Sequence, residues 1–259
     1  MTSVLYTGAA GRMGTVLRAG LAGEFERVVL FVREEVPVLH AHEEIVNGRL
    51  SDLDAMTEAM RGVDVMIHLA AVADEAPWAD ILESNIEGTY AVFEAARRAG
   101  VRRVVYASSH HAIGFYPVTQ RVGPADPVRP DSYYGVSKVF GEALARLYHD
   151  KWGLEVVSLR IGCFRPEPED VRQLSAWLSH RDGVELLRRS VLAAGVGFAV
   201  VYGVSANTRG WWDNDDAAVI GYVPRDDAEA FAGRFTPDDP APIVQGGAFA
   251  DPSYRGGVW

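Results

Sequence analysis

Two side chains with the spacing of a catalytic pair, Tyr134 and Lys138, lie in the run Asp131-Ser-Tyr-Tyr-Gly-Val-Ser-Lys138. Residues four apart share one face of a helix. Tyr133 is the neighbouring tyrosine, but only Tyr134 stands four before a lysine. Upstream, Ser108-Ser109 ends an apolar run, and Thr7-Gly8-Ala-Ala-Gly11-Arg-Met-Gly14 opens the chain. A tyrosine hydroxyl titrates near about 10, too high for a good base at neutral pH. A nearby ammonium, together with the positive charge of a nicotinamide, would favour its phenolate. Ser109 could hydrogen-bond the oxygen that reacts. A nucleotide-binding turn, a serine and a Tyr/Lys pair, in that order, point to hydride transfer between a nicotinamide and a carbon carrying a hydroxyl.

The glycines have distinct expected duties. Gly8 permits a tight turn, Gly11 lets the backbone approach a pyrophosphate, and Gly14 allows close helix–strand packing. Ala10, Arg12 and Met13 complete that turn. An acid at the end of the second strand would hold an adenosine ribose. Here the strand ends Phe31-Val32-Arg33-Glu34-Glu35, with no Asp at its tip. Arg33 stands where it could pair with a 2′-phosphate, which leans the reading from NAD toward NADP, while Glu34 could still reach the ribose.

The surrounding pattern predicts strands at 4–7, 27–32, 63–69, 103–107 and 154–161. It predicts helices at 13–21, from Ser51 or Asp52 to Met60, over 78–98 closed by Gly100, and over 132–152. Strands alternating with helices predict an α/β fold, a doubly wound parallel sheet (Rossmann) with helices on both faces. After Arg160 the pattern changes. Pro166-Glu-Pro168 breaks the chain, a helix follows over 180–194, and Phe198-Ala-Val-Val-Tyr202 is apolar. Short helical pieces and a Pro-, Asp- and Gly-rich stretch close the chain. Residues 1–259 therefore read as one nucleotide-binding domain, with a small C-terminal substrate lobe mainly in 162–259.

Composition narrows the class. Of 259 residues 48% are hydrophobic, enough for a full core. The net charge is −10, with no long basic run, which argues against nucleic acid or an anionic membrane as partner. Cys163 is the only cysteine, so no internal disulfide forms and a reducing compartment is expected. No signal peptide, bilayer-spanning run or zinc-type ligand spacing is visible. The expectation is a cytoplasmic enzyme without a metal.

The ordered motifs T-G-x-x-G-x-x-G, His68-Leu-Ala-Ala71, Asn85-Ile-Glu-Gly-Thr89, Ser108-Ser109 and Y-x-x-x-K resemble the extended branch of the short-chain dehydrogenase/reductase superfamily. Within it, several runs resemble the bacterial uronate dehydrogenases. They are Ser108-Ser-His-His-Ala-Ile-Gly-Phe-Tyr-Pro117, Arg129 to Lys138, Arg160-Ile-Gly162 with Pro166-Glu-Pro168, Leu174 to His180, Trp211-Trp-Asp-Asn214 and Gln245-Gly-Gly247. The resemblance covers nearly the whole chain. It implies NAD-dependent oxidation of a cyclic hexuronic acid at C1 to an aldarolactone, with Ser109, Tyr134 and Lys138 catalytic. It implies that Leu69, Ala70 and Ala71 line the cofactor by backbone, that Asn85 shapes the nucleotide site, and that Leu50 and Ile161 adjoin it. Arg172 falls on the arginine that binds the sugar carboxylate, and homo-oligomerisation is implied as well.

This chain departs from that pattern at several positions. His110 replaces an Asn after the serine pair. Ala73 and Cys163 stand where small hydroxyl residues line the pocket. Val32 stands for the acid at the second strand tip, and Arg49 for an Asp before Leu50. The first group bears on which sugar is bound, with His110 and His111 both candidates to face it, and the second on NAD preference. The tail from Ile243 to Trp259, with Phe249, Tyr254 and Trp259, is a candidate subunit contact. Two other readings stay open. One is a sugar-nucleotide epimerase or dehydratase, which needs room for a nucleoside diphosphate that the short region after residue 160 hardly provides. The other is a non-catalytic NAD(P) sensor, which would have no use for the intact Ser109, Tyr134 and Lys138.

Overall fold

The computed structural model describes residues 2–34, 36–236 and 238–257. The chain runs β1 (Ser3–Thr7), α1 (Arg12–Gly20), β2 (Arg27–Val32), β3 (Glu43–Asn47), α2 (Leu53–Ala59), β4 (Val65–His68) and α3 (Trp78–Ile81). A π-helical turn (Leu82–Glu87) leads into α4 (Gly88–Ala99), then β5 (Arg103–Ser109), α5 (Tyr133–Trp152) and β6 (Glu155–Ile161). Next come β7 (Cys163–Phe164), α6 (Gln173–Ala176), β8 (Trp177–Leu178), α7 (His180–Leu192) and β9 (Phe198–Gly203), followed by short 3₁₀ turns.

Seven strands form one sheet in the order β3-β2-β1-β4-β5-β6-β9, with every neighbouring pair parallel. The expected doubly wound sheet is therefore present. Successive strand residues alternate between two cores, as a pleat requires. Val4, Tyr6, Leu30 and Ile67 point to a core shared with Leu17 of α1 and Leu186 of α7. Leu5, Val29, Phe31 and Met66 point to the opposite one, closed by Met56 of α2, Phe93 of α4 and Tyr148 of α5. Burial on both faces is why these strands read as unbroken apolar runs rather than alternating ones.

Several elements differ from expectation. β3 lies in a stretch to which no element is assigned from sequence, because Glu43 and Glu44 disguise it. The Glu43 carboxylate is buried and paired with Arg18 of α1 at 2.9 Å. Asp52, not Ser51, caps α2, accepting from the Ala55 amide at 3.0 Å. The helix expected over 78–98 carries the π turn at its middle and ends at Gly100, whose φ of +73° suits a residue without Cβ. The α7 helix stops at Leu192. The segment 180–203 is not part of the lobe: it returns to the sheet as α7 and β9. The lobe is built from residues 163–178 and 204–257, and includes the small parallel pair of β7 and β8 that the sequence reading did not anticipate.

Two charged seams tie helix to sheet. Arg160 on β6 donates to both Glu142 oxygens on α5, at 2.9 and 2.8 Å, and Ser108 on β5 donates to the same carboxylate at 2.6 Å. Arg103 on β5 bonds Glu155 and the carbonyls of Ser190 and Val191 on α7. The first seam fixes α5, the helix carrying Tyr134, against the strand that ends in Ser109, and the second ties that strand to β6 and α7.

Candidate active site

The sheet order reverses between β1 and β4, so the loops after their carboxyl ends diverge and leave a crevice, the usual ligand position in open α/β sheets. The Gly8 turn forms its floor. Gly8 has φ of +72°, and a Cβ there would stand 2.6 Å from the Ala70 amide nitrogen. A Cβ at Gly14 would stand 2.2 Å from the Gly8 carbonyl oxygen, so Gly14 is a buried position where helix and turn pack closely. At Gly11 a Cβ would meet only Gly8 O, at 3.3 Å. That is one tight contact, much milder than those at Gly8 and Gly14, and nothing else crowds the turn on that side. Arg12 is exposed at the start of α1, and Met13 packs on the core behind it.

A cleft of 560 Å³ opens from this turn, lined by Gly8, Ala10, Val32, Arg33, Glu34, Arg49, Leu50, Ala70 and Ala71 among others. The loop after β4 is held by Asn85 in the π turn. Its amide nitrogen donates to Val72 O and Ser137 Oγ, both at 3.0 Å, and its carbonyl accepts from Val72 N at 2.8 Å. The extra residue in the helical turn aims this buried amide at the loop backbone and holds the loop in place. Leu69 packs on the core below, and His68 bridges Thr7 and Thr89 at 2.8 and 3.2 Å while burial holds it neutral, its pKa lowered to about 3.

Beyond the cleft, Ser109, Tyr134 and Lys138 meet, all buried. Ser132 caps α5 through the Gly135 amide at 3.0 Å, which places Tyr134 in the first turn. Ser109 hydrogen-bonds the Tyr134 side chain. Lys138 Nζ donates to Ala107 O at 2.8 Å and stands 5.3 Å from the centre of the Tyr134 ring. Burial pushes Tyr134 up to about 12, with only the Ser109 hydrogen bond opposing. Burial also lowers Lys138 to about 7. In the protein alone burial therefore holds both groups toward their neutral forms.

The two histidines differ. His110 accepts from Arg172 Nη1 at Nε2, at 3.2 Å, and donates from Nδ1 to Ile161 O at 2.9 Å. His111 Nδ1 lies 2.7 Å from Asp131 Oδ2. Burial pushes Asp131 up to about 6 and, aided by Arg172, holds the His111 ring well below its ordinary value. At neutral pH the network thus assigns a neutral ring donating to a carboxylate. The His111 ring stacks on Phe249, centroids 3.8 Å apart, and meets Tyr134 edge-on at 5.8 Å. Cβ atoms at Gly114 or Gly246 would collide with Asp131 Oδ2, so three chain segments close tightly around this carboxylate.

Arg172 comes to the cluster from the lobe, just before α6. Its hydrogen-bond partners are His110 Nε2, Gln245 O and Cys163 Sγ, each at 3.2 Å. Among the described residues no carboxylate forms an ion pair with it. Gln245 is itself pinned, accepting from Trp212 Nε1 at 2.7 Å and donating to Gln120 O at 2.8 Å. A Cβ at Gly247 would stand 2.7 Å from Arg172 Cδ. That explains the Gln245-Gly-Gly247 run, to which sequence assigned no role. A second cleft, of 860 Å³, reaches Arg172 from the lobe side.

Ala73 stands exposed on the loop after β4, apart from this hydrogen-bonded cluster. Phe249, Asp131 and Gln245 were missed as site residues. Phe249 and Tyr254, candidates for a subunit contact, pack on each other within the chain: the rings lie 4.7 Å apart, and Tyr254 donates to Asp74 at 2.6 Å. Trp259 lies outside the described residues.

Similar proteins agree with this geometry. Residues 4–187 match the family model of the NAD dependent epimerase/dehydratase family. A uronate dehydrogenase of Pseudomonas putida is 44% identical over 254 residues, covering 95% of both chains. An L-arabinose 1-dehydrogenase (NAD(P)(+)) of Haloferax volcanii is 37% identical, over 88% of this chain and 98% of that protein. The crystal structure of uronate dehydrogenase from Agrobacterium tumefaciens, as a tyrosine-to-alanine mutant complexed with NAD, superposes with a TM-score of 0.92 at 43% identity, covering 98% of this chain and 99% of that one. With the family match spanning the glycine turn, the crevice and the Tyr134/Lys138 helix, this chain belongs to the NAD dependent epimerase/dehydratase family.

Proposed function

We propose that the protein is a uronate dehydrogenase, oxidising a cyclic hexuronic acid such as galacturonate or glucuronate at C1 to an aldarolactone. The observation that carries the substrate is Arg172. It is a half-buried guanidinium whose hydrogen bonds go to neutral acceptors, with Asp170 and Asp131 acting on it electrostatically but not paired to it, beside a buried Ser109/Tyr134/Lys138 cluster. A cation so placed favours an anion that can take its planar fork bidentately. Relatives named for uronate oxidation, 44% identical over nearly the whole length, support the same reading.

A nicotinamide dinucleotide fits the crevice. Gly8, Ala10 and Gly11 would receive its phosphates at the α1 N-terminus, Arg12 and Met13 would adjoin them, and Leu50, Leu69, Ala70, Ala71 and Ile161 would flank it. When bound it supplies the acceptor for the hydride that leaves C1. Arg172 holds the sugar carboxylate and so turns the C1 hydroxyl toward Tyr134. Ser109 steadies that oxygen, and Tyr134 Oη takes its proton. Lys138 and the dinucleotide's positive charge together lower the barrier to phenolate. Because C1 of the ring form is a hemiacetal carbon, its oxidation gives a lactone without opening the ring. His110 and Cys163 set the orientation of Arg172, and His111 walls the pocket. Ala73, exposed in the protein alone, belongs to this reading only as pocket rim.

The reading extends to the whole protein as one nucleotide-binding domain completed by its lobe, acting in the cytoplasm and self-associating. The exposed Tyr133, Val136 and Leu147 of α5 and Tyr90 of α4 support an interface, and mass in solution checks it.

The test is nicotinamide reduction by ultraviolet absorbance, with galacturonate and glucuronate and each of NAD and NADP. Turnover should fall roughly 100-fold or more in Tyr134→Phe while dinucleotide binding survives. Arg172→Ala should raise KM by about 10- to 100-fold. Absence of turnover with both acids, under conditions where the dinucleotide binds, overturns the substrate assignment.

A further inference from the structure

The far end of the nucleotide cleft carries a pair of cations that the proposed reaction does not use. β2 and β3 are parallel neighbours in register, Val32 opposite Asn47, and Gly48 N donates to Val32 O at 2.9 Å. The residues that follow these two strand ends therefore emerge side by side, and Arg33 and Arg49 line the same cleft. No acid occupies the tip of β2, where Val32 is buried. The carboxylates on this wall are Glu34, Asp80 and Glu83. Glu34 is paired with Arg33 at 3.4 Å and Glu83 with Arg49 at 3.1 Å, and all four side chains are 64–79% exposed. Pairs so exposed are weak, because each ion is already solvated. A phosphate, with close to two negative charges and three acceptor oxygens, competes well for guanidinium groups held in this way.

We propose that Arg33 and Arg49 form a site for the 2′-phosphate of NADP(H), so that the cleft takes the phosphorylated dinucleotide as well as NAD(H). The proposal rests on the dinucleotide part of the proposed function, but not on its sugar substrate. Glu34 is the complementary partner. With Arg33 turned to a phosphate, its carboxylate is released. With NAD(H), it can accept from the free ribose 2′-hydroxyl. The pair Arg33/Glu34 thus presents either a donor or an acceptor to the same ribose edge.

Binding alone tests this, by calorimetry of the intact protein with adenosine 2′,5′-bisphosphate and 5′-AMP, and by fluorescence titration with NADPH and NADH. The bisphosphate should bind at least about tenfold more tightly than 5′-AMP, since it gains charge-assisted bonds. Added salt should shrink that advantage. Arg33→Ala/Arg49→Ala should abolish it and leave 5′-AMP and NADH within about twofold. Arg33→Lys, which keeps the charge, should retain part of it. Equal binding of the two mononucleotides by the unaltered protein overturns the proposal, as does equal weakening of both in the double variant. No binding of any nucleotide overturns both this proposal and the dinucleotide reading. Absence of uronate turnover with binding intact overturns only the substrate assignment.

Discussion

Tyr134 and Lys138 show how far a residue's behaviour follows from its neighbours. Their spacing is legible in sequence, because four positions on a helix is a fixed geometry. Their charge states are not, because burial depends on the whole fold. Lys138 titrates near about 7 in the folded chain, against about 10.4 for a free lysine. Between those values the unfolded chain holds a proton that the native one has lost, so stability contributed by this site rises with pH across that window. A Lys138→Met variant lacks the titration. Its unfolding free energy relative to wild type should therefore be highest near neutral pH and decline toward pH of about 10. Urea unfolding at both ends measures this, and parallel profiles for the two proteins would refute the depressed lysine. Asp131 was hidden in plain view inside the quoted run. An aspartate before a helix reads as a turn or cap residue, and only the fold brings it to His111.

At the level of elements, the β1–α1 turn separates two kinds of glycine. Gly8→Ala must strain a positive φ and drive a Cβ into the Ala70 backbone, so it should cost stability of about 1–3 kcal/mol or more. Gly11→Ala meets nothing closer than 3.3 Å within the chain, so it should lose much less stability than Gly8→Ala yet bind dinucleotide far more weakly. Thermal melting with and without NADH separates the two, and an equal loss of stability in both would refute the assigned roles. The α5–β6 seam gives a second contrast. Glu142→Gln leaves the Arg160 guanidinium buried without its counter-ion, with an expected cost of about 3–5 kcal/mol. The strands and long helices were readable because apolar runs and period-3.6 faces are local signals. β3 was not, since its defining charge is neutralised by Arg18, remote in sequence. The π turn was not either, because nothing in Leu82–Glu87 marks the extra residue until Asn85 finds Val72 and Ser137.

Across the whole molecule, the sheet supplies the crevice, and the lobe brings Arg172, Gln245 and Phe249 beside His110, His111 and Tyr134. The parallel sheet with helices on both faces could be inferred from alternation. The folding-back of the lobe could not, because its short turns rest on single contacts such as Trp212 to Gln245. Ligand linkage should bind these parts into one transition. NADH at a hundredfold excess over its Kd should stabilise the native state by about 2.7 kcal/mol, read as a shift in the urea midpoint. Cys163, the chain's sole cysteine, lies within 3.2 Å of Arg172 and is half-buried, with burial raising its pKa. Thiolate is scarce there at neutral pH, so an alkylating reagent should react slowly and at one place. The molecule thereby contains its own occupancy gauge: on the proposed seating at Arg172, a bound sugar acid shields the only thiol, and the labelling rate counts empty sites without any turnover at all.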